Sequence, residues 1–267
     1  MMTPKTLSTP EKNLYYQVNQ FILGRETLVL LHGVFGHVGY WSEYEKYYEQ
    51  RYNVVSLDLR GMGKSFRPKR YRDYDLANSV QDLKDVLDAE GITKIILVSA
   101  SLSDFIAVRF TAQYPSVVHK LILFSFSGRP GTAVATVFFR ALFWVISLFN
   151  YFPVRSGNHY VIEDIRATYD WHWRRLYIDI TNTGLRSTFH LLRAFYHFDI
   201  AGDIPEISVP VLLVHGEKDT ILPYRWVLND FPKFQNAVLD TIPEGDHMIC
   251  QTHLEVALRS MDKFLSA

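Results

Sequence analysis

Short, almost continuously apolar runs recur along the chain: Thr27–Leu31, Asn53–Leu57, Lys94–Val98, Lys120–Phe124, Val211–Val214 and Ala237–Leu239. Runs of this length without polar alternation fit strands covered on both faces, as in a parallel sheet. Tyr15–Val18 and Gln20–Leu23 predict an antiparallel hairpin near the start. Between the runs the period changes. Leu76, Val80, Leu83, Val86 and Leu87 share one helical face, with Asp75 placed to cap its N-terminus. Leu254, Ala257, Leu258, Met261, Phe264 and Leu265 do the same at the end of the chain. The helix from Ser103 to Gln113 is apolar nearly all round, which predicts the most buried helix, and Pro115 ends it. Strands alternating with helices predict an α/β fold: a mostly parallel central β-sheet with helices on both faces.

The alternation breaks between about Ser127 and Ile200, where helical periodicity and dense aromatics replace the strand pattern. That stretch predicts a helical cap inserted after the sixth strand, over the sheet's C-terminal edge. The expected division is a core of residues 1–126 and 201–267 with an insertion at 127–200. Within it, Ala133 to Phe149 is apolar almost throughout and runs on into Tyr151 and Phe152, with Arg140 near its centre. It is short for a membrane span, and a single crossing would leave strands of one sheet on opposite sides of a bilayer. Three readings stay open for it: a helix packed on the sheet, a helix lining a pocket for an apolar chain, and a surface for peripheral membrane docking or self-association.

A chain of 267 residues fits one large domain able to bury a core without disulfides or metals. Lysine plus arginine and aspartate plus glutamate stand at 28 each, so no basic footprint points to nucleic acid. The one cysteine, Cys250, excludes an internal disulfide and fits a reducing compartment, and the first ten residues are too polar for a secretory signal. Together these predict a cytoplasmic location, peripheral to a membrane if the 133–149 segment docks there.

Ligands of a parallel sheet bind beyond the carboxyl ends of its strands. The residues just past each apolar run are therefore informative: His32-Gly33, Asp58-Leu-Arg60-Gly61-Met-Gly63-Lys-Ser65, Ser99-Ala-Ser101-Leu-Ser103, His215-Gly-Glu-Lys-Asp219 and Gly245-Asp-His247. In this order the segments resemble the α/β-hydrolase superfamily across nearly the whole chain. The resemblance implies a nucleophile, acid, histidine order of Ser101, Asp219 and His247. A serine hydroxyl needs a base near neutral pKa, and the base needs an acid to hold its tautomer. It further implies an oxyanion site made by the backbone N–H groups of Leu102 and Val34. Ser99 and Ser103 stand where glycine is usual, and Asp104 where a small residue is. Aromatic residues make up 15% of the chain, and Phe35, Phe139, Phe143, Trp144 and Trp171 are expected to line the substrate pocket.

Other polar residues have plainer expected roles. His32 ties down its own loop. The Asp58–Ser65 loop lacks the spacing of a P-loop. Glu217 and Asp246 are the nearest rivals to Asp219 as the acid. His159, His172, His190 and His197 lack a metal-ligand spacing, so neither metal nor cofactor is expected. The expected activity is cleavage of a small-molecule carboxylic ester with an apolar part through an acyl-enzyme. The alternatives are a lactonase or other α/β-hydrolase chemistry on a small molecule, or a ligand-binding role with low turnover.

Overall fold

The computed structural model describes residues 1–147 and 170–267. Eight strands form one sheet: β1 (Thr3–Ser8), β2 (Asn13–Val18), β3 (Thr27–Leu31), β4 (Asn53–Leu57), β5 (Ile95–Ala100), β6 (Val118–Phe124), β7 (Val211–Gly216) and β8 (Ala237–Ile242). Their order is β1-β2-β4-β3-β5-β6-β7-β8, antiparallel at β1/β2 and β2/β4 and parallel elsewhere. The helices are α1 (Ser42–Tyr48), α2 (Leu76–Ala89), α3 (Leu102–Gln113), α4 (Ala133–Ser147), α5 (Trp173–Thr183), α6 (Leu185–Phe195), α7 (Tyr224–Asp230), α8 (Ile249–Thr252) and α9 (Leu254–Leu265).

The apolar runs divide residue by residue between two cores. Val29 and Leu31 of β3, Val55 of β4 and Leu97 of β5 join α2 and α3 on one face. Leu28, Leu30, Val54, Ile96 and Val98 meet Trp41, Tyr44 and Tyr48 near α1, and Ala257 and Met261 of α9, on the other. Side chains alternate across a strand, so burial on both faces demands an unbroken apolar run. Asp75 accepts the N–H of Ala77 at 2.8 Å, the expected cap of α2.

The first hairpin differs from expectation. Tyr15–Val18 belongs to β2, but its partner is the polar strand β1, with Pro4 opposite Gln17. Gln20–Leu23 is irregular: Asn53 takes its backbone instead, accepting the N–H of Ile22 at 2.8 Å and donating to Ile22 O at 3.2 Å. An edge strand needs one covered face only and tolerates proline, so β1 carries little hydrophobic signal.

Between β6 and β7 every described regular element is helical, the last a short 3-10 turn at Ile204–Glu206. α4 packs on the end of α6: Phe139 and Phe143 both stack on Tyr196, and Phe143 also meets Phe189. The opposite side of α4 exposes Val134, Val137, Phe138 and Trp144. Phe149, Tyr151, Phe152 and His159 lie outside the described residues.

Candidate active site

Strand β5 runs two residues further than the apolar pattern alone predicts, through Ser99 and Ala100, and Ser101 turns the chain sharply into α3. Its backbone sits at φ +58° and ψ −115°, a conformation that ordinary L residues avoid. The turn is tied down on every side. Ser101 N donates to Phe124 O at 2.9 Å, and Asp104 N to Ser101 O at 3.0 Å. The Ser103 hydroxyl lies 2.8 Å from Leu31 O and 3.0 Å from Ala100 O, and accepts Ala100 N at 3.0 Å. Gly33 passes so close that a Cβ there would stand 3.2 Å from Ala100 O.

Asp104 does not face the cavity. Its carboxyl is fully buried and accepts the Ser99 hydroxyl at 2.5 Å. Burial holds it well above the usual carboxylate range, against the opposing hydrogen bonds from the Ser99 hydroxyl and the Ser101 backbone.

Three chain-distant groups form one line. Ser101 Oγ donates to His247 Nε2 at 2.9 Å, and His247 Nδ1 donates to Asp219 Oδ2 at 2.8 Å. A carboxylate can only accept, so the Nδ1 proton is dictated by the partner, leaving Nε2 free to receive the serine proton. Asp219 is buried, and its other oxygen accepts the N–H groups of Ile221 at 2.9 Å and Leu222 at 2.7 Å. Burial on its own would lower the His247 imidazole. The charge and hydrogen bond of Asp219, with Asp170 and Asp246 beyond, outweigh burial and hold it above its ordinary value. His215 packs against the same carboxylate, its Nε2 3.4 Å from Asp219 Oδ2 and donating to Leu222 O at 2.9 Å.

Leu102 and Val34 both line the cavity that opens over Ser101. Among the described residues neither backbone N–H has a protein acceptor. The next N–H along, that of Phe35, points to Met62 Sδ at 3.0 Å, with Phe35 at φ +64°. His32 stabilises this loop as a neutral ring: Nε2 accepts Leu59 N at 3.1 Å, so the proton is on Nδ1 and is donated to Gly33 O at 2.8 Å. Burial pushes its pKa down to about 3.

The cavity measures about 380 Å³. Phe35, Phe139 and Trp171 line it, with Tyr40, Leu192, Phe195 and Tyr196. Phe143 and Trp144 do not. One turn of α4 beyond Phe139, Phe143 is taken up by stacking on Tyr196, while Trp144 is half exposed in a shallow groove beside Arg193 and His197. Two ionisable residues of α5, Arg175 and Asp179, also line the cavity. Arg175 Nε stands 3.9 Å from Asp179 Oδ2, and burial pushes the Asp179 carboxyl up to about 8. Their i, i+4 spacing is the one sequence signal that marks them as a pair.

The remaining polar residues have structural surroundings. Asp58 accepts Val38 N at 2.6 Å and Lys64 N at 2.7 Å, and Gly63 (φ +52°) leaves it room, since a Cβ there would collide with the Asp58 carboxylate. Arg60 Nε donates to the buried Asp82 at 2.7 Å. Glu217 is exposed, and Asp246 accepts Met248 N and Thr252 Oγ1, both at 2.9 Å. Cys250 is buried, which pushes its thiol far above neutral pH. Among the described residues no group of three His, Cys, Asp or Glu side chains is placed to hold a metal ion, and no helix is long and apolar enough to cross a membrane.

The alpha/beta hydrolase fold family profile matches residues 26–254. Epoxide hydrolase 4 of Mus musculus is 36% identical over 104 residues, which is 39% of this chain and 29% of that protein, so the match spans under a third of the relative's length. Among solved structures, MGS-M2, an alpha/beta hydrolase enzyme from a Medee basin deep-sea metagenome library, has a TM-score of 0.80 at 19% identity, covering 98% of each chain. The enol-lactonase from Burkholderia xenovorans LB400 has a TM-score of 0.79 at 15% identity, covering 98% of this chain and 100% of its own. The sheet order, the strand-to-helix turn at Ser101 and the profile match together place this chain in the α/β-hydrolase family.

Proposed function

We propose that the chain is a serine hydrolase that cleaves a small carboxylic ester with an apolar part through a covalent acyl-enzyme. The observation that carries this reading is the Ser101–His247–Asp219 line, at 2.9 and 2.8 Å, at the floor of a cavity walled mainly by aromatic and aliphatic side chains. Ser101 Oγ attacks the ester carbonyl while His247 Nε2 takes its proton. His247 then returns that proton to the departing alkoxide. Water repeats the sequence on the acyl-enzyme and frees the acid. The N–H groups of Leu102 and Val34 receive the developing oxyanion, and one such donor is typically worth about 10²–10³ in turnover. The helices α4 to α6 act as a cap that supplies the apolar wall.

Serine at the elbow argues against epoxide opening. A serine oxygen that opened an epoxide would form an ether, which has no carbonyl for water to attack, so the enzyme would not be regenerated. A lactone is an internal ester and needs no further residue. A cavity of about 380 Å³, near the small end of ligand pockets, suits such a compact ring.

Labelling with a fluorophosphonate probe tests the nucleophile. Attachment at Ser101, abolished in Ser101→Ala, is expected, and folded wild-type protein that never labels would leave a ligand-binding role instead. A panel of esters against lactones of matched size then separates the two hydrolytic readings.

A further inference from the structure

Asp170 lies in the segment between β6 and β7, shortly before α5, and no motif marks it. Its side chain is buried and reaches across to both loops that carry the histidine and the acid. Oδ1 accepts the backbone N–H of His247 at 2.8 Å. Oδ2 accepts the backbone N–H of Thr220 at 2.9 Å and the Thr220 hydroxyl at 2.7 Å. Thr220 directly succeeds Asp219, so one carboxylate bridges the backbone of the base and the backbone next to the acid. The network continues outward. Trp171 Nε1 donates to Thr220 Oγ1 at 2.9 Å, and the Trp171 ring lines the cavity. Arg175 donates to the Asp170 carbonyl at 2.5 Å, which fixes the start of α5 to the same point.

Three short bonds converge on one buried carboxyl group, two from backbone N–H groups of different loops and one from the Thr220 hydroxyl. Neither loop contributes this group, and it comes from the inserted segment. We infer that Asp170 is a positioning residue, tying the helical segment to the loops of His247 and Asp219 and holding the imidazole in line with Ser101. This rests on the serine-hydrolase reading for its effect on turnover, though not for its effect on the imidazole. Through Thr220, whatever touches Trp171 from the cavity side is coupled to the base. Four groups surround His247 and share control of its charge: Asp219 on the loop after β7, Asp246 on its own loop, His215 at the end of β7 and Asp170. Of the three acids, Asp219 bonds the ring itself. Asp170 adds a second negative charge on the backbone side.

The test is Asp170→Asn, which keeps the size and one acceptor but removes the charge and replaces the acceptor facing Thr220 with a donor. Two readouts are taken on folded protein: kcat/KM against pH, and the titration midpoint of the His247 imidazole by NMR. The expected result is a kcat/KM about 10- to 100-fold lower, as for a slightly misplaced base, with the acid limb and the NMR midpoint both moved to lower pH. Thr220→Val, which removes only the hydroxyl, should move kcat in the same direction by less. It carries the test if Asp170→Asn does not fold. A folded Asp170→Asn protein with wild-type midpoint overturns the inference, even if its melting temperature falls, because a purely structural role would lower stability alone. Wild-type protein that never labels with fluorophosphonate, while the midpoint still falls in Asp170→Asn, would sink the serine-hydrolase reading and leave Asp170's role standing.

Discussion

Ser101 holds its hydroxyl at the tip of the elbow by accepting a backbone conformation that only glycine takes readily, at φ +58° and ψ −115°. Residues held this way cost of order 1–3 kcal/mol, tolerated because the surrounding bonds allow nothing else. Two substitutions should separate strain from chemistry. Ser101→Ala and Ser101→Gly should both lose about 10⁴–10⁶ in turnover. The glycine variant should be more stable than the alanine variant by about 1 kcal/mol, read from urea unfolding, since alanine keeps a Cβ where φ is positive. Equal stabilities would mean that the turn is not strained. The two flanking serines are explained by the same turn. Ser103 spends its hydroxyl on the carbonyls of Leu31 and Ala100, and Ser99 spends its own on Asp104. Small size makes them tolerable in place of glycine, and their hydroxyls find partners that glycine would leave empty.

At the scale of single elements, α4 is the informative case. Its sequence is apolar on every side, so periodicity alone does not reveal which side faces inward. In the fold Phe139 lines the cavity, Phe143 stacks beneath it on Tyr196, and Trp144 looks outward. This placement has a kinetic consequence for the proposed ester substrate. Phe139→Ala should raise KM for esters with long apolar acyl chains by about tenfold, the worth of one or two lost methylene-sized contacts, while short acetate esters change little. Trp144→Ala should leave both unchanged. A matching KM increase from Trp144→Ala would relocate the binding surface to the outer face of α4. The sheet elements are more legible in the sequence than this helix. Strands covered on both faces are nearly continuously apolar, so the five inner parallel strands β3 to β7 are visible one by one, while the edge strand β8 shows only its apolar start. The edge strand β1 is not visible, because nearly all of it is exposed and it stays polar, and the apolar pattern therefore points to a hairpin a few residues too late in the chain.

Over the whole molecule, buried titratable groups set how stability changes with pH. Burial pushes Glu45 up to about 7 and Asp58 up to about 6. An unfolded carboxyl ionises near pH 4, so the folded state holds these protons to higher pH than the unfolded chain. Their contribution is complete below about pH 4 and is lost as pH rises through 6 to 7. His32 works in the opposite sense. Its folded pKa of about 3 lies below the unfolded value near 6.5, so its contribution is present above pH 6.5 and is lost as pH falls toward 3. Stability should therefore peak between these limits. Glu45→Gln, which stays neutral at every pH, should shrink the loss between pH 5 and pH 8 by about 2 kcal/mol in urea unfolding. An undiminished loss would place the titrating group elsewhere.

Read on its own, the chain determines the inner parallel strands, the buried helix after the elbow and the family, along with the order in which Ser101, Asp219 and His247 appear. All of these come from one-dimensional signals: apolar runs, helical periods, and short polar motifs at strand ends. Tertiary structure alone decides three further things. It buries the Asp104 carboxyl against the Ser99 hydroxyl, away from the cavity. It selects the inward side of α4 and brings Arg175 and Asp179 to the cavity wall. It carries Asp170 across to His247 and Thr220, 77 and 50 residues away along the chain. Hydrophobic periodicity reports that a position is covered, whereas the partner covering it depends on which elements meet.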